Sequence, residues 1–338
     1  MRILILKPSS LGDVIQALPV LRLLKRHFPQ SQIYWWIEAG LAPLLKDDPD
    51  LSGIIRFQRR GWAEPKNWAR LWYDIQWVRA QHFDWVIDLQ SLARSAAFAW
   101  LSNGQLLVGL DEIREGARGF YDVVVPRGSV HTHAVDWYLA VLSRLGVPIH
   151  WDFEWLPSRP ELAQALRKKW FPDGEQWIVL QPGARWLNKR WPVEYFARIV
   201  KQFPASRHQV RFAILGAEED RRLGEAIKRA APDRCLDLTG KLSLPEMVEG
   251  IRLSRLMITN DTGPMHAAAA LRKPLIALFG PTNPRRTGPY GQQPSVLQSG
   301  VPCVPCLTSR CDNPRNLECL YSLTPELVLQ RMEACLST

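Results

Sequence analysis

Five short stretches of the 338-residue chain carry side chains able to handle protons, phosphate or metal. Lys7-Pro8-Ser9-Ser10-Leu11-Gly12-Asp13 sets two hydroxyls, a glycine and a carboxylate between an apolar run and a helical pattern. The helix dipole keeps an acid in a first turn ionised, as a general base requires, although it also weakens that base. The plainer alternative for Asp13 is a helix-start acid that only caps. In Gln181-Pro182-Gly183-Ala184-Arg185-Trp186-Leu187-Asn188-Lys189-Arg190-Trp191-Pro192, Lys189 can bring a compact positive charge to a phosphate leaving group, or simply be solvated. Leu215-Gly216-Ala217-Glu218-Glu219 places acids just past a strand, where α/β nucleotide sites hold ribose hydroxyls and where helix first turns also favour acids.

The sharpest local pattern is Thr259-Asn260-Asp261-Thr262-Gly263-Pro264-Met265-His266. Asp261 or Thr262 can cap a helix, Gly263 allows close backbone approach, and Pro264 suits the first helical turn. Such a helix end is either merely capped or an anion site. Cys303, Cys306, Cys311 and Cys319 form C-x2-C-x4-C-x7-C. In a cytoplasmic protein that clustering argues for zinc or an iron–sulfur centre over disulfides, with a loop of reduced thiols as the alternative. Asp48-Pro49-Asp50 has metal-binding spacing but reads as a turn.

The elements that must position these residues alternate. Ile3–Leu6 reads as a buried strand, followed by a helix with Val14, Leu18, Leu21 and Leu24 at helical spacing. Further strands are expected at 33–37, 53–57, 85–89 and 106–109, with helices near 66–81, 94–101 and 134–145. Alternation of this kind implies a parallel sheet covered on both faces. Prolines at 148, 157, 160 and 172 interrupt the order, so a domain boundary is placed near 157. The scheme then repeats, with strands at 177–181, 210–215, 256–259 and 275–279 and helices at 193–202, 218–230 and 244–253. The lone-glycine loop after the first strand is not the three-glycine dinucleotide fingerprint.

Composition bounds the partners. Forty-three Lys and Arg against 33 Asp and Glu leave a net charge of +10, and there are 15 tryptophans. A basic protein suits an anionic partner, and Trp favours membrane interfaces and sugar rings as well as cores. No apolar stretch approaches the ~20 residues that span a bilayer, and no signal peptide is visible, so a cytoplasmic location is expected.

Taken together, the motifs resemble the ADP-heptose:lipopolysaccharide heptosyltransferases, glycosyltransferase family nine. The resemblance covers nearly the whole chain. It is carried by Ser9-Ser10-Leu11-Gly12-Asp13 with Ala17-Leu18-Pro19, by Pro182-Gly183-Ala184 with Lys189-Arg190-Trp191-Pro192, and by Gly216-Ala217-Glu218. Asn260-Asp261-Thr262-Gly263-Pro264-Met265-His266 and Phe279-Gly280-Pro281-Thr282 complete it. It implies an α/β fold of GT-B architecture, two Rossmann-like domains with parallel sheets facing across a cleft. Residues 1–157 would bind the acceptor and 158–323 the nucleotide-sugar donor, with a helix at 324–338 packing back toward the N-terminal domain. It implies an inverting transfer of heptose from an ADP-sugar, without a required metal, to the phosphorylated inner core of lipopolysaccharide.

Carried over residue by residue, Asp13 is the general base and Lys189 assists the leaving diphosphate. Thr262, Gly263 and His266 hold that diphosphate, Glu218 the ribose, Leu242 lies by the adenine, and Asp261 positions the donor sugar. Ser9, Ser10 and Gly12 line the acceptor side. Arg59, Arg60, Trp62 and Lys66 match an acceptor-contacting region, and Arg114 and Arg118 are further anion-binding candidates. The protein is expected at the cytoplasmic face of the inner membrane, peripherally, with no nucleic-acid partner. Three alternatives remain open at this point: a related transferase with another nucleotide sugar or glycan acceptor, a nucleotide-sugar epimerase, and a non-catalytic metal module centred on the cysteines.

Overall fold

The structure is a computed structural model that describes residues 1–58, 68–112, 115–204, 207 and 209–337. The chain divides into two compact units, Met1–Pro157 and Ser158–Thr338.

The first unit holds a six-stranded, all-parallel sheet. Its strands are β1 (Arg2–Leu6), β2 (Gln32–Glu38), β3 (Gly53–Phe57), β4 (Trp85–Asp88), β5 (Leu106–Leu110) and β6 (Val123–Val125), in the order β3-β2-β1-β4-β5-β6. Ile3, Leu4, Ile5 and Leu6 are all fully buried, as a central parallel strand covered on both faces requires. At about 1.5–3 kcal/mol for each side chain removed from water, this tetrad anchors the unit. The second unit repeats the plan with β7 (Gln176–Gln181), β8 (Val210–Ile214), β9 (Cys235–Asp237), β10 (Leu256–Asn260), β11 (Leu275–Phe279) and β12 (Val296–Gln298), ordered β12-β11-β10-β7-β8-β9. Renumbered from its own first strand, this is the same 3-2-1-4-5-6 arrangement, the Rossmann order. The three-residue strands β6, β9 and β12 sit at sheet edges.

The helices at Val193–Gln202 and Leu244–Leu253 fall where periodicity places them. The one expected over 218–230 opens as a tight turn, Glu218–Asp220, before the helix Arg221–Ala230. The chain ends in the helix Pro325–Ser337. Its Val328, Met332 and Leu336 are buried in the core of the second unit, beside Trp191 and Phe196.

The Asp-x-Asp turn also gains a role. Arg22, buried on the helix Leu11–His27, makes a two-pronged pair with Asp48 at 2.6 Å and reaches Asp50 at 2.6 Å. It further donates to the Trp155 carbonyl at 2.9 Å, tying the end of the unit to its first helix. Burial opposes the charge, but the Asp48 and Asp50 carboxylates outweigh it and raise the Arg22 pKa. Breaking one partner of a buried pair leaves the others uncompensated. Arg22→Met is expected to destabilise the first unit by about 3–5 kcal/mol, read as a lowered urea midpoint at unchanged slope.

Candidate active site

In a doubly wound sheet, the two central strands send their connections to opposite faces, and the loops at their carboxyl ends part to leave a crevice. The crevice of the first unit lies beyond β1 and β4, and that of the second beyond β7 and β10. The sequence-predicted residues gather at these two places.

In the first unit, β1 runs through Lys7 and Pro8 into the helix Leu11–His27. The Asp13 Oδ2 accepts from the Ser10 backbone N–H at 2.9 Å and from the Ser10 hydroxyl at 2.7 Å. Asp13 thus fastens its own helix start and stays half-buried, while Ser9 is half-buried, Ser10 exposed and Gly12 buried. Lys7 had no role in the sequence reading, and it is the site's main surprise. It is only 4% exposed, its Nζ donates to the Leu89 carbonyl just past β4 at 2.9 Å, and it stands 4.8 Å over the buried Tyr138 ring. The Trp35 indole holds the Lys7 carbonyl at 3.1 Å. Burial pulls the ammonium's pKa down, but Tyr138, Asp13 and Asp88 outweigh it, so Lys7 titrates above the ordinary lysine value. Burial also raises Asp88, although its carboxylate accepts from Gln90 N–H, Ser91 N–H and the Tyr121 hydroxyl at 2.8–2.9 Å. The available signal for Lys7 was a cation directly after an apolar strand, too common to single it out.

In the second unit, Lys189 closes the turn Leu187–Lys189 after β7, and Asp261 follows β10. Their side chains meet at 2.6 Å across the crevice, 18% and 6% exposed respectively. The Thr282 hydroxyl donates to the same Asp261 oxygen at 2.6 Å, and Lys189 stands 4.8 Å over the Trp186 ring. Asn260 fixes the loop that carries the lysine: it donates to the Pro182 carbonyl at 2.7 Å and accepts from Trp191 N–H at 3.0 Å. Beside this pair the helix Gly263–Ala270 begins, with Thr262 at its cap, Pro264 in its first turn, and Thr262 and Gly263 half-buried. His266 is buried one turn further in. An ammonium and a helix N-terminus at one crevice can meet a diphosphate.

Two strands over, Glu218 follows β8 and Leu242 follows β9. Gly240, at φ +70°, passes so close to Glu218 that a Cβ would strike its carboxylate, and Gly240 N–H donates to the Gly216 carbonyl at 3.0 Å. Glu218 is exposed and paired with Arg221 at 2.7 Å. The candidate contacts therefore lie along one edge of the sheet, phosphate-type groups beyond β10 and β7, ribose-type groups beyond β8 and β9. Asp220, absent from the sequence reading, ties these together. It accepts from Ala217 N–H at 3.2 Å, pairs with Arg190 at 3.5 Å, and lies against the Gly183 backbone.

Other candidates are not gathered there. Arg118 is exposed on a short turn, 3.8 Å from the Asp111 carboxylate. Arg59, Arg60, Trp62, Lys66 and Arg114 lie outside the described residues. All six cysteines are free thiols, and among the described residues no three His, Cys, Asp or Glu side chains converge as ligands of a metal ion. No helix among the described residues is long and apolar enough to cross a membrane.

The profile of glycosyltransferase family 9 (heptosyltransferase) matches residues 71–316. The chain belongs to that family. Its curated relatives include lipopolysaccharide heptosyltransferase 1 of Pseudomonas aeruginosa, 31% identical over 99% of this chain and 98% of the relative. Lipopolysaccharide heptosyltransferase 2 of Escherichia coli is 27% identical over 99% of both chains. Among solved structures, E. coli heptosyltransferase WaaC with ADP superposes with a TM-score of 0.77 at 25% identity, covering 99% of this chain and 100% of that one. A family 9 glycosyltransferase from Veillonella parvula superposes at 0.83, with 24% identity, over 99% and 97% of the two chains. The fold class is thus the α/β GT-B class of Rossmann-like units, and the chain is a glycosyltransferase. The epimerase and non-catalytic alternatives give way to this family membership.

Gly183→Ala tests the coupling of the loops after β7 and β8, because an added Cβ runs into the Asp220 carboxylate. It is expected to cost about 1–3 kcal/mol by overpacking. In a denaturation cycle with Asp220→Ala, the double variant should lose less than the sum of the singles.

Proposed function

We propose that the protein transfers a heptose from ADP-heptose to the phosphorylated inner core of lipopolysaccharide, with inversion at the anomeric carbon. The observation that carries the donor half is the Lys189–Asp261–Thr282 cluster beside the start of the helix Gly263–Ala270, in line with Glu218 and Leu242 on the same sheet edge. That line sets phosphate-type groups at one end and ribose-type groups at the other, the order of a nucleoside diphosphate. Structures of the family member WaaC with ADP and with an ADP-2-deoxy-2-fluoro heptose support the same donor class. Lipopolysaccharide is the acceptor class named for the family's curated relatives, and a net charge of +10 suits its phosphates.

In this reading Lys189, Thr262 and Gly263 bind the diphosphate, with His266 supporting them from inside the helix. Asp261 aims Lys189 and, with it, the donor sugar; Glu218 takes the ribose and Leu242 flanks the adenine. Ser9, Ser10, Gly12, Arg59, Arg60, Lys66 and Arg118 serve the acceptor, peripherally at the inner-membrane face. The acceptor hydroxyl oxygen attacks the anomeric carbon as its proton passes to Asp13. The bond to the ADP oxygen breaks, and ADP leaves with the electron pair. Negative charge grows on the departing phosphate, where an ammonium and helix-end amides are most effective. No metal ion is needed to neutralise it in this scheme.

Asp13→Asn separates the two tasks of that residue, because the amide oxygen still accepts from Ser10 N–H while the base is gone. Incubated with ADP-heptose and a deacylated Kdo–lipid A acceptor, the wild type should release ADP. The Asn variant should lose at least about 10²-fold in kcat with ADP affinity by calorimetry unchanged. Undiminished turnover would remove Asp13 from the role of base. Lys189→Ala should instead weaken ADP binding and lower kcat together.

Lys7 gives a pH test. Asp13 favours the charged form of Lys7, and by reciprocity the buried cation favours the ionised form of Asp13. Lys7→Met should therefore move the acid limb of the kcat/KM profile to higher pH, with activity recovering on the alkaline side. A lower plateau with an unmoved limb would show that Lys7 only packs.

A further inference from the structure

The chain's 15 tryptophans are not all core residues. Trp72 is 60% exposed, Tyr73 70%, Trp77 41%, Trp100 60% and Phe120 38%, and all five belong to the first unit. Of the aromatic side chains exposed among the described residues, all but Trp151 and Tyr321 are in this set. We propose that the five form a docking face for an anionic lipid bilayer, with the rings at headgroup depth and arginines beside them.

Topology puts the five on one layer. The connections from β3 to β4, β4 to β5 and β5 to β6 all cross the sheet in the same direction, and right-handed crossovers lay them on the same face. They contribute the helix Trp68–Arg79, the helix Ala93–Leu101 and the turn Ala117–Phe120. The first helix packs against the second, and the second against the turn. Ile75 and Val78 from one helix meet Phe98 and Ala99 from the other in a common core against the sheet. The exposed rings therefore stand on the layer's outer side.

On the helix Trp68–Arg79 the segregation is sharp. At about 100° per residue, Trp72, Tyr73, Gln76 and Trp77 span an arc of about 140°, opposite Ile75 and Val78. A surface helix usually gives that arc to charged residues. Exposed apolar side chains scattered singly need no explanation, but a cluster of them marks an interaction site. Trp and Tyr join an apolar ring to a polar tip, which suits the boundary between water and lipid better than a dry interior.

Charge selects the occupant. Arg79, Arg94 and Arg118 are exposed on this layer, whereas Asp74, the one acid on the two helices, is half-buried. The exposed Glu115 is engaged locally, its carboxylate accepting from the Ala93 N–H at 2.9 Å. A second copy of the chain, related by a twofold axis, would set this basic face against itself. Anionic headgroups instead complement the arginines, and the rings hold what the charge draws in. The proposal deepens the inner-membrane location given above and rests on that reading only for its purpose, access to a lipid-borne acceptor.

The test mixes the full chain, without donor or acceptor, with vesicles of phosphatidylglycerol and phosphatidylcholine, or of phosphatidylcholine alone. The wild type should sediment with the anionic vesicles, less so at raised salt, and brominated acyl chains should quench its tryptophan emission. Trp72→Ser/Tyr73→Ser/Trp77→Ser should weaken binding at least about tenfold and remove most of the quenching, whereas Trp151→Ser should bind as the wild type does. Arg79→Gln/Arg94→Gln should weaken binding about tenfold. Wild type that stays in solution beside anionic vesicles, or a triple variant that binds undiminished, would overturn the proposal. An arginine variant that binds undiminished would overturn it even where the triple variant fails to fold. A dimer lost in the triple variant, with no vesicle binding by either protein, would assign the face to a second copy instead. Given ADP-heptose, the triple variant should turn over the deacylated acceptor like the wild type and lose about tenfold on the same acceptor embedded in vesicles. Absence of transfer by the wild type on both acceptors would count against the proposed reaction alone, because vesicle binding is read without substrates.

Discussion

The reversal of strand order at the centre of each sheet is the constraint on which everything else depends. β1 and β4 in one unit, β7 and β10 in the other, are hydrogen-bonded neighbours whose outgoing loops part on opposite faces. Each crevice is bridged by a lysine. Lys7 reaches from the end of β1 to the Leu89 carbonyl beyond β4, and Lys189 reaches from the loop after β7 to Asp261 beyond β10. Repetition of the fold has placed a cation at the same topological position twice, in different surroundings. One is sealed beside Tyr138 with its ammonium on the Leu89 carbonyl; the other stays partly accessible.

In the proposed mechanism Asp13 carries a structural and a chemical task on one side chain. Its Oδ2 closes the helix start against Ser10, which holds the carboxylate in place before any substrate arrives. A base that also caps is pre-aimed, because its rotamer is set by the fold. The cost is basicity, since a dipole and two donors all favour the ionised form. The sequence reading treated capping and catalysis as rivals, and the geometry makes them compatible.

What was legible in the sequence follows from the range of the interactions that determine it. The Ile3–Leu6 run, the capped start at Thr262–Pro264 and the helices at Val193–Gln202 and Leu244–Leu253 rest on neighbours within a turn or two, and they read correctly. Strands β9 and β12, three residues each, lack enough length to show a period and went unseen. Asp48 and Asp50 read as a mere turn because their partner, Arg22, lies 26 residues or more away. Asp220 hid inside an acidic first turn, and its contact with Gly183 exists only once β7 and β8 lie side by side.

In the proposed mechanism the pairing of Lys189 with Asp261 has a kinetic side. A bare ammonium at a helix end would grip any phosphate, including the spent nucleotide, and grip slows turnover when product departure limits the rate. Here the ammonium already has a carboxylate at 2.6 Å, so an arriving diphosphate gains only the difference between two pairings. When the sugar has gone, Asp261 stands ready to take the charge back. An internal counter-ion of this kind trades tight holding for prompt letting go, and it does so without any moving part.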